Sequence, residues 1–348
     1  MFYLNNKFFN GSYSVFYRGA TALYLLAREL LPNGGTVLVP ANICYAAIYP
    51  FKYAGADIVF CDVDKYSGNI TLDTIQDSAH KDFQLALIPH MYGNPVLEMK
   101  KIVQCLHRIN AIVIEDCALA MGLRQTYGDY VLYSTGYSKT IDLGFGGILH
   151  GPDSVLENCE NREKYLKHRT HDTASYERFF SKLYRFIRNC NEENELINSI
   201  YFEMYNKSRD AFISRIDSFD KNFIINGINL IEEVIEKRKK SKLQYDELLS
   251  NLKHVCKYNF LKEAIPWRYN LLVEDGYREI LIDSCLKNNV PISDWYPRVT
   301  PLFFDKNSYP NALWHEKHIV NFPLLISENR IKKYCDVVLR TINGDNIQ

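Results

Sequence analysis

The stretch AIVIEDCALAMGLRQTYGDYVLYSTGYSKTIDLGFGG, Ala111 to Gly147, decides the fold. Its first apolar run, Ala111 to Ile114, ends in the acidic pair Glu115-Asp116. A second run, Tyr130 to Tyr133, ends in Ser134, and Lys139 follows five residues later. Two buried strands that each deliver a polar residue at the C-terminal end form the scaffold of an α/β active site, because ligands sit outside those ends. An acid, a hydroxyl and a lysine on one rim suit pyridoxal 5'-phosphate (PLP). That cofactor needs a lysine for its Schiff base and a carboxylate to keep its pyridine nitrogen protonated. It also needs hydroxyl and backbone N–H donors for its phosphate. Asp116, Ser134 and Lys139 are the candidates for these roles.

Each has a plainer reading. A carboxylate at the end of an apolar strand is costly unless paired, and a structural salt bridge would pair Asp116 as well as a pyridinium would. Serine at a strand end often only caps a turn. Most lysines are solvated, but Lys139 precedes Gly144-Phe145-Gly146-Gly147, a segment that lets backbone approach a ligand.

Toward the N-terminus, Phe16-Tyr17-Arg18-Gly19-Ala20-Thr21 leads into an apolar helix, Ala22 to Leu31. Gly19, Ala20 and Thr21 either admit an anion to the free N–H groups of the helix start or merely permit close packing. Strands are expected at Thr36–Pro40, Ala56–Cys61 and Leu85–Pro89, with helices at Asn42–Lys52 and Val96–Arg108. This alternation implies right-handed βαβ crossovers and a mostly parallel sheet with helices on both faces. His90 then falls on the same rim as Asp116 and Ser134 and is a site candidate, although a lone histidine is commonly structural. The turn Asp62 to Asn69 has its glycine and third ligand misplaced for a calcium loop and reads as an ordinary loop.

Residues 152–220 are helical and polar. His168 and His171 stand three apart with no accompanying carboxylate pattern, so they read as solvated rather than as metal ligands. Ile228 to Leu252 is a long amphipathic helix whose KRKK run is a solvated face with i,i+4 ion pairs, not a nucleic-acid patch. Beyond it, strands at Trp267–Val273, Val290–Ile292 and Ile319–Pro323, with helices at Tyr277–Asn288 and Ser327–Thr341, form a smaller α+β unit. The boundary inside the linking helix gives a large domain of 1–240 and a small domain of 241–348.

Composition narrows the classes. A hydrophobic content of 47% excludes disorder, and zero net charge gives no global pull toward nucleic acid or anionic membrane. Nine scattered cysteines without a C-x-x-C pair point to reduced thiols. Val37 to Phe51, the most apolar stretch, is too short and too interrupted by Pro40, Asn42 and Pro50 to span a bilayer. The N-terminus lacks the signal-peptide pattern. A cytoplasmic protein is expected.

The motifs together resemble the DegT/StrS type of sugar aminotransferase among fold-type I PLP enzymes. Glu115-Asp116-Cys117-Ala118 is similar to the family's E-D-x-A. Gly128-Asp129, then Ser134 through Lys139, then Gly146-Gly147, match its G-D, its S-x-x-x-x-K and its Gly-Gly hairpin. Gly19-Ala20-Thr21-Ala22-Leu23 resembles the phosphate-binding turn, His90-Met91-Tyr92-Gly93-Asn94-Pro95 the H-x-x-G-x-P loop, and Asn321-Phe322-Pro323-Leu324 the C-terminal strand. The likeness spans nearly the whole chain, with its strongest motifs between residues 111 and 147. It departs in three places. Leu119 stands where Gln or His is usual, and the ring-stacking aromatic position falls on Cys44 with Tyr45 one place late. The Asn that reaches a partner's phosphate has no match near Arg215.

The resemblance implies a three-layer α/β large domain and a homodimer with its active site at the subunit interface. It implies Lys139 as Schiff-base lysine and proton shuttle, Asp116 on the pyridine nitrogen, and Ser134 with the Gly19, Ala20 and Thr21 turn on the phosphate. Tyr45 and His90 join the cofactor site, and Trp295, Arg298 and Arg268 are substrate candidates. The expected reaction moves an amino group from glutamate to a nucleotide-linked keto-sugar, in surface-polysaccharide or amino-sugar biosynthesis. The alternatives are PLP-dependent dehydration of a sugar, against which Lys139 counts because family dehydratases replace that lysine, and a catalytically silent PLP-fold binding protein.

Overall fold

The computed structural model describes residues 1–348 except 6, 79–80, 169–174, 177, 181, 184–185, 187–194, 304 and 345–348. An N-terminal pair, β1 (Phe2–Asn5) and β2 (Asn10–Phe16), precedes α1 (Gly19–Leu30). Next come β3 (Gly35–Pro40), α2 (Tyr45–Tyr53), β4 (Ala56–Cys61), α3 (Leu72–Ser78), β5 (Leu85–Pro89) and α4 (Met99–Arg108). Then follow β6 (Ile112–Asp116), β7 (Tyr130–Ser134), β8 (Gly147–His150) and α5 (Asp153–Glu163).

These strands build one eight-stranded sheet in the order β1-β2-β8-β7-β6-β5-β3-β4. The pairings from β7 through β6, β5 and β3 to β4 are parallel, and β1, β2 and β8 add an antiparallel edge. Alternation along each strand explains the two-sided burial. Val37, Val39, Leu85, Leu87 and Ile114 face α1 and α2, where Leu23, Leu26, Ile48 and Phe51 pack. Leu38, Ala86, Ile88 and Val113 face the opposite way, against Ile102, Val103 and Leu106 of α4. Strands covered on both faces need continuous apolar runs, as these have, and each fully buried Leu or Ile contributes about 1.5–3 kcal/mol.

The expected mostly parallel sheet is present. Helix α2 starts at Tyr45 rather than Asn42, because the buried Asn42 side chain donates to Gly68 O at 2.9 Å and holds a turn there. The turn at Asp62 has a structural task. Its carboxylate accepts the amides of Asn311 and Ala312 at 3.0 and 2.9 Å, tying a C-terminal helix to the end of β4.

The second half runs through α6 (Glu195–Phe212), α7 (Ser218–Gly227) and α8 (Ile231–Leu248). It continues with β9 (Val255–Lys257), β10 (Tyr269–Val273), α9 (Tyr277–Lys287), α10 (Pro310–His318), β11 (Ile319–Phe322) and α11 (Glu328–Asn343). An antiparallel sheet, β11-β10-β9, sits under α9 and α11. Helix α8 serves two cores: Ile231 and Ile235 pack with Tyr17 and Met121, whereas Tyr245 packs with Tyr269 and Phe322. The strand expected at Val290–Ile292 does not form. Pro291 has no N–H to donate, and a single bridge between Ser293 and Asn321 replaces it. Among the described residues no helix is long and apolar enough to cross a membrane.

His315, fully buried on α10, locks the two halves together. Its Nδ1 donates to Lys65 O at 2.8 Å, and its Nε2 accepts from the Tyr92 hydroxyl at 3.0 Å. The Tyr92 oxygen in turn accepts the Tyr296 amide at 2.9 Å. This tautomer is the neutral one, and burial pushes the His315 pKa from its ordinary 6.5 down to about 4. Between those values the unfolded chain binds a proton that the folded chain excludes, so stability falls as pH drops from 6.5 toward 4. A depression from 6.5 to about 4 corresponds to roughly 3 kcal/mol. In urea unfolding at pH 7 and pH 4, His315→Gln is expected to lose less stability on acidification than the wild type, by up to that amount. Equal losses would show that His315 is not the titrating group.

Candidate active site

A cavity of about 460 Å3 opens where the C-terminal ends of β6 and β7 meet the start of α1 and the smaller unit. Asp116, Ser134, Lys139, Gly19, Ala20 and Tyr45 line it. Trp267, Arg268, Trp295 and Tyr296 close it from the smaller unit, and Arg18, Arg178 and Lys182 add cations. Its size suits a small ligand held by a few convergent polar groups.

Alternation on β6 separates the two acids. Glu115 points into the protein and is satisfied there: its Oε1 accepts from His90 Nε2 at 2.7 Å, and its Oε2 accepts the amides of Tyr127 and Gly128 at 2.6 and 2.7 Å. Burial would raise its pKa, but the His90 hydrogen bond together with those amides outweighs burial and holds it below the carboxylate range. Asp116 points into the cavity with 7% exposure. Burial raises its pKa, opposed by the Ala118 amide at 2.8 Å and by the charge of Lys139. A desolvated carboxylate that faces a cavity is the group a protonated ring nitrogen would pair with.

Lys139 sits in a tight loop between β7 and β8. Ser138 before it takes a left-handed conformation (φ 61°) with its amide on Asp142 Oδ2 at 2.7 Å. A non-glycine residue in that region costs of order 1–3 kcal/mol and persists only where the surroundings enforce it. The enforcement comes from the smaller unit. Trp267 Nε1 donates to Ser138 O at 2.5 Å, and Arg268 donates to Ser138 Oγ at 3.2 Å while stacking on the Trp267 ring. Arg238 of α8, 6% exposed, donates to Lys139 O at 3.0 Å and to Trp267 O at 2.5 Å. One buried guanidinium thus fixes the lysine loop to both units.

Three sequence-predicted residues lie elsewhere. His90 does not line the cavity; its Nδ1 accepts the Val96 amide at 2.9 Å and its Nε2 serves Glu115, so both ring nitrogens support the strand ends. The hydroxyl of Thr21 turns away to Phe212 O at 3.1 Å. Arg298 is held by Glu316 at 2.8 Å and does not reach the cavity. His90, Glu115 and Cys117 come within 4.8 Å of one another. The first two are already hydrogen-bonded, and burial holds the Cys117 thiol well above its ordinary pKa, so they form a polar core rather than an ion site. His168 is exposed and bridges Arg215, and His171 lies outside the described residues.

Arg18, Tyr296 and Arg238 were not singled out by the sequence. Arginine beside a glycine-containing turn looks solvated, and contacts from 238 to 139 or from 296 to 92 have no local signature.

The donor set fits PLP: a buried acid for the ring nitrogen, an amine for the aldehyde, and hydroxyl and helix-start amides for the phosphate. The class is therefore that of fold-type I PLP enzymes, with a large mixed sheet and a small C-terminal antiparallel sheet. A family model for the DegT/DnrJ/EryC1/StrS aminotransferases matches residues 15–332, and the chain belongs to that family. It is 32% identical over 145 residues to a GDP-perosamine synthase of Escherichia coli O157:H7, covering 40% of each chain. The chain thus aligns with about two fifths of that relative's length. In fold it is similar to the aminotransferase TlmJ of Streptoalloteichus hindustanus (TM-score 0.72, 17% identity, 96% of this chain and 86% of that one). It is also similar to the E coli GDP-4-keto-6-deoxy-D-mannose-3-dehydratase with bound hydrated PLP (TM-score 0.68, 16% identity, 94% and 87%).

Replacing Arg238 by methionine leaves the carbonyls of Lys139 and Trp267 buried without a donor. The expected cost is about 2–4 kcal/mol, seen as a lowered denaturant midpoint. A midpoint equal to the wild type's would show that the clamp contributes nothing.

Proposed function

We propose that the protein is a PLP-dependent aminotransferase that moves an amino group from an amino acid, glutamate, to a keto-sugar carried on a nucleotide. The observation that carries this reading is the shared cavity of Asp116 and Lys139 at adjacent strand ends. When bound, PLP supplies an electron sink that stabilises negative charge on the carbon losing its proton. The protein supplies everything else. Asp116 holds the ring nitrogen protonated. Lys139 anchors the aldehyde and, once released, moves a proton at the reacting carbon with its ε-amine. Ser134 and the amides of Gly19 and Ala20 hold the phosphate. Tyr45 and Trp295, whose rings lie 6.4 Å apart, wall the cavity and exclude water.

Among the described residues, Lys139, Arg18, Arg178, Lys182 and Arg268 give the cavity five cationic side chains against one acid, Asp116. That balance suits ligands with several negative charges, such as a cofactor phosphate together with a sugar diphosphate. A homodimer with the site at its interface belongs to the proposal. Tyr137, at the cavity and 64% exposed, is a residue that a second subunit would cover.

Dehydration of a sugar is the second reading, favoured by the fold likeness to the dehydratase. Lysine at position 139 supports amine transfer instead, because it can return a proton and re-anchor the cofactor. The purified protein with PLP is expected to show an absorbance band near the visible edge that disappears in Lys139→Ala. Isotopically labelled glutamate should pass its nitrogen to the sugar product one for one. A protein that never takes up PLP overturns the reading, and product formed without labelled nitrogen favours dehydration.

A further inference from the structure

We propose that Arg18 is the principal counter-charge for the cofactor phosphate, so that this chain grips the dianion with a buried guanidinium beside a helix start. The inference rests on the PLP reading above and concerns one residue within it.

Arg18 is the N-cap of α1, with extended backbone (φ −147°, ψ 161°). Its carbonyl accepts the Ala22 amide at 3.1 Å, which leaves the amides of Gly19, Ala20 and Thr21 ahead of the helix ladder. The side chain does not cap them. The backbone is fixed from the other side: Gly146 donates to Tyr17 O at 2.7 Å, and Arg18 bridges Gly146. A Cβ on Gly147 would lie 2.3 Å from the Arg18 carbonyl, so glycine is required for β8 to pass this closely.

Arg18, 7% exposed, is among the residues lining the cavity, and its guanidinium lies 5.4 Å from the ring of Phe212, another lining residue. Burial pushes its pKa below the usual arginine value, against the Tyr17 and Tyr45 phenols and the Cys44 thiol, which act to raise it. A cation set beside the positive end of a helix adds like to like. An anion between them gains from both, with charge-assisted hydrogen bonds to a planar fork.

Position within the cavity selects the phosphate among the possible anions. Asp116 and Lys139 account for the ring nitrogen and the aldehyde. Ser134 stands beside the start of α1, where a Cβ on Gly19 would lie 3.8 Å from Ser134 Cβ and one on Gly136 3.3 Å from Ser134 Oγ. The two neighbouring positions provide no hydroxyl there, since residue 20 is alanine and the Thr21 hydroxyl is bonded to Phe212 O. Arg18 adds a full charge beside the turn's amides and Ser134, and it is the cation adjacent to that turn in the chain.

The test compares equilibrium binding of PLP and of pyridoxal, which lacks the phosphate, to full-length protein freed of cofactor, followed by the visible-edge absorbance. Wild type, Arg18→Met and Arg18→Gln are measured. Both variants should bind PLP roughly 10- to 100-fold more weakly than the wild type and bind pyridoxal within about twofold of it. Retained pyridoxal binding also shows that the site has folded, and if one variant fails to fold the other decides. Unchanged preference for PLP over pyridoxal, or equal weakening of both, overturns the assignment while leaving the cofactor reading intact. A wild type that binds neither compound overturns the cofactor reading, and the role of Arg18 with it.

Discussion

A carboxylate taken out of water is the constraint on which the structure turns. Asp116 ends an apolar strand at 7% exposure, its pKa raised by burial and held back by one amide and by the charge of Lys139. A buried ion is tolerated only where charge and hydrogen bonds balance it. Much of the local structure provides that balance. Glu115, one residue earlier and on the opposite face, is fully satisfied by His90, Tyr127 and Gly128, which fixes the strand end from behind. Asp116 is thereby presented to the cavity in a defined direction.

Lys139 has to meet that carboxylate from a loop, and loops are imprecise unless clamped. The clamp is non-local. Arg238, Trp267 and Arg268 hold the carbonyls and hydroxyl of residues 138 and 139, so the smaller unit sets the geometry of a lysine that belongs to the larger one. His315 and Tyr92 make a second connection across the same junction, ending on the amide of the cavity residue Tyr296. Position of the lysine and docking of the two units are one structural problem.

Local patterns were legible in the sequence. Strands β3 to β7 all read as apolar runs between turns, to within a residue or two, because two-sided burial leaves a continuous signature. Asp116, Ser134 and Lys139 followed from where those runs stop. The edge strands did not read: FYLN and NGSYSVF are short and polar-interleaved, and they become strands only by pairing with each other and with β8. His90 and Arg298 sit at plausible positions, but their rings and guanidinium are consumed by Glu115 and Glu316, partners far enough along the chain to leave no trace in spacing. Arg18 was passed over for the opposite reason. Its neighbours Gly19 and Ala20 carry the visible signal, and nothing local marks the arginine as buried.

The most direct measurement is borohydride reduction of the PLP-loaded protein followed by a peptide mass map. If the lysine of the loop after β7, which shares the cavity with Asp116, is the one that holds the cofactor, the reduced label is found on the peptide containing Lys139 and on no other. Label on Lys182, the other lysine lining the cavity among the described residues, or none at all, would contradict it.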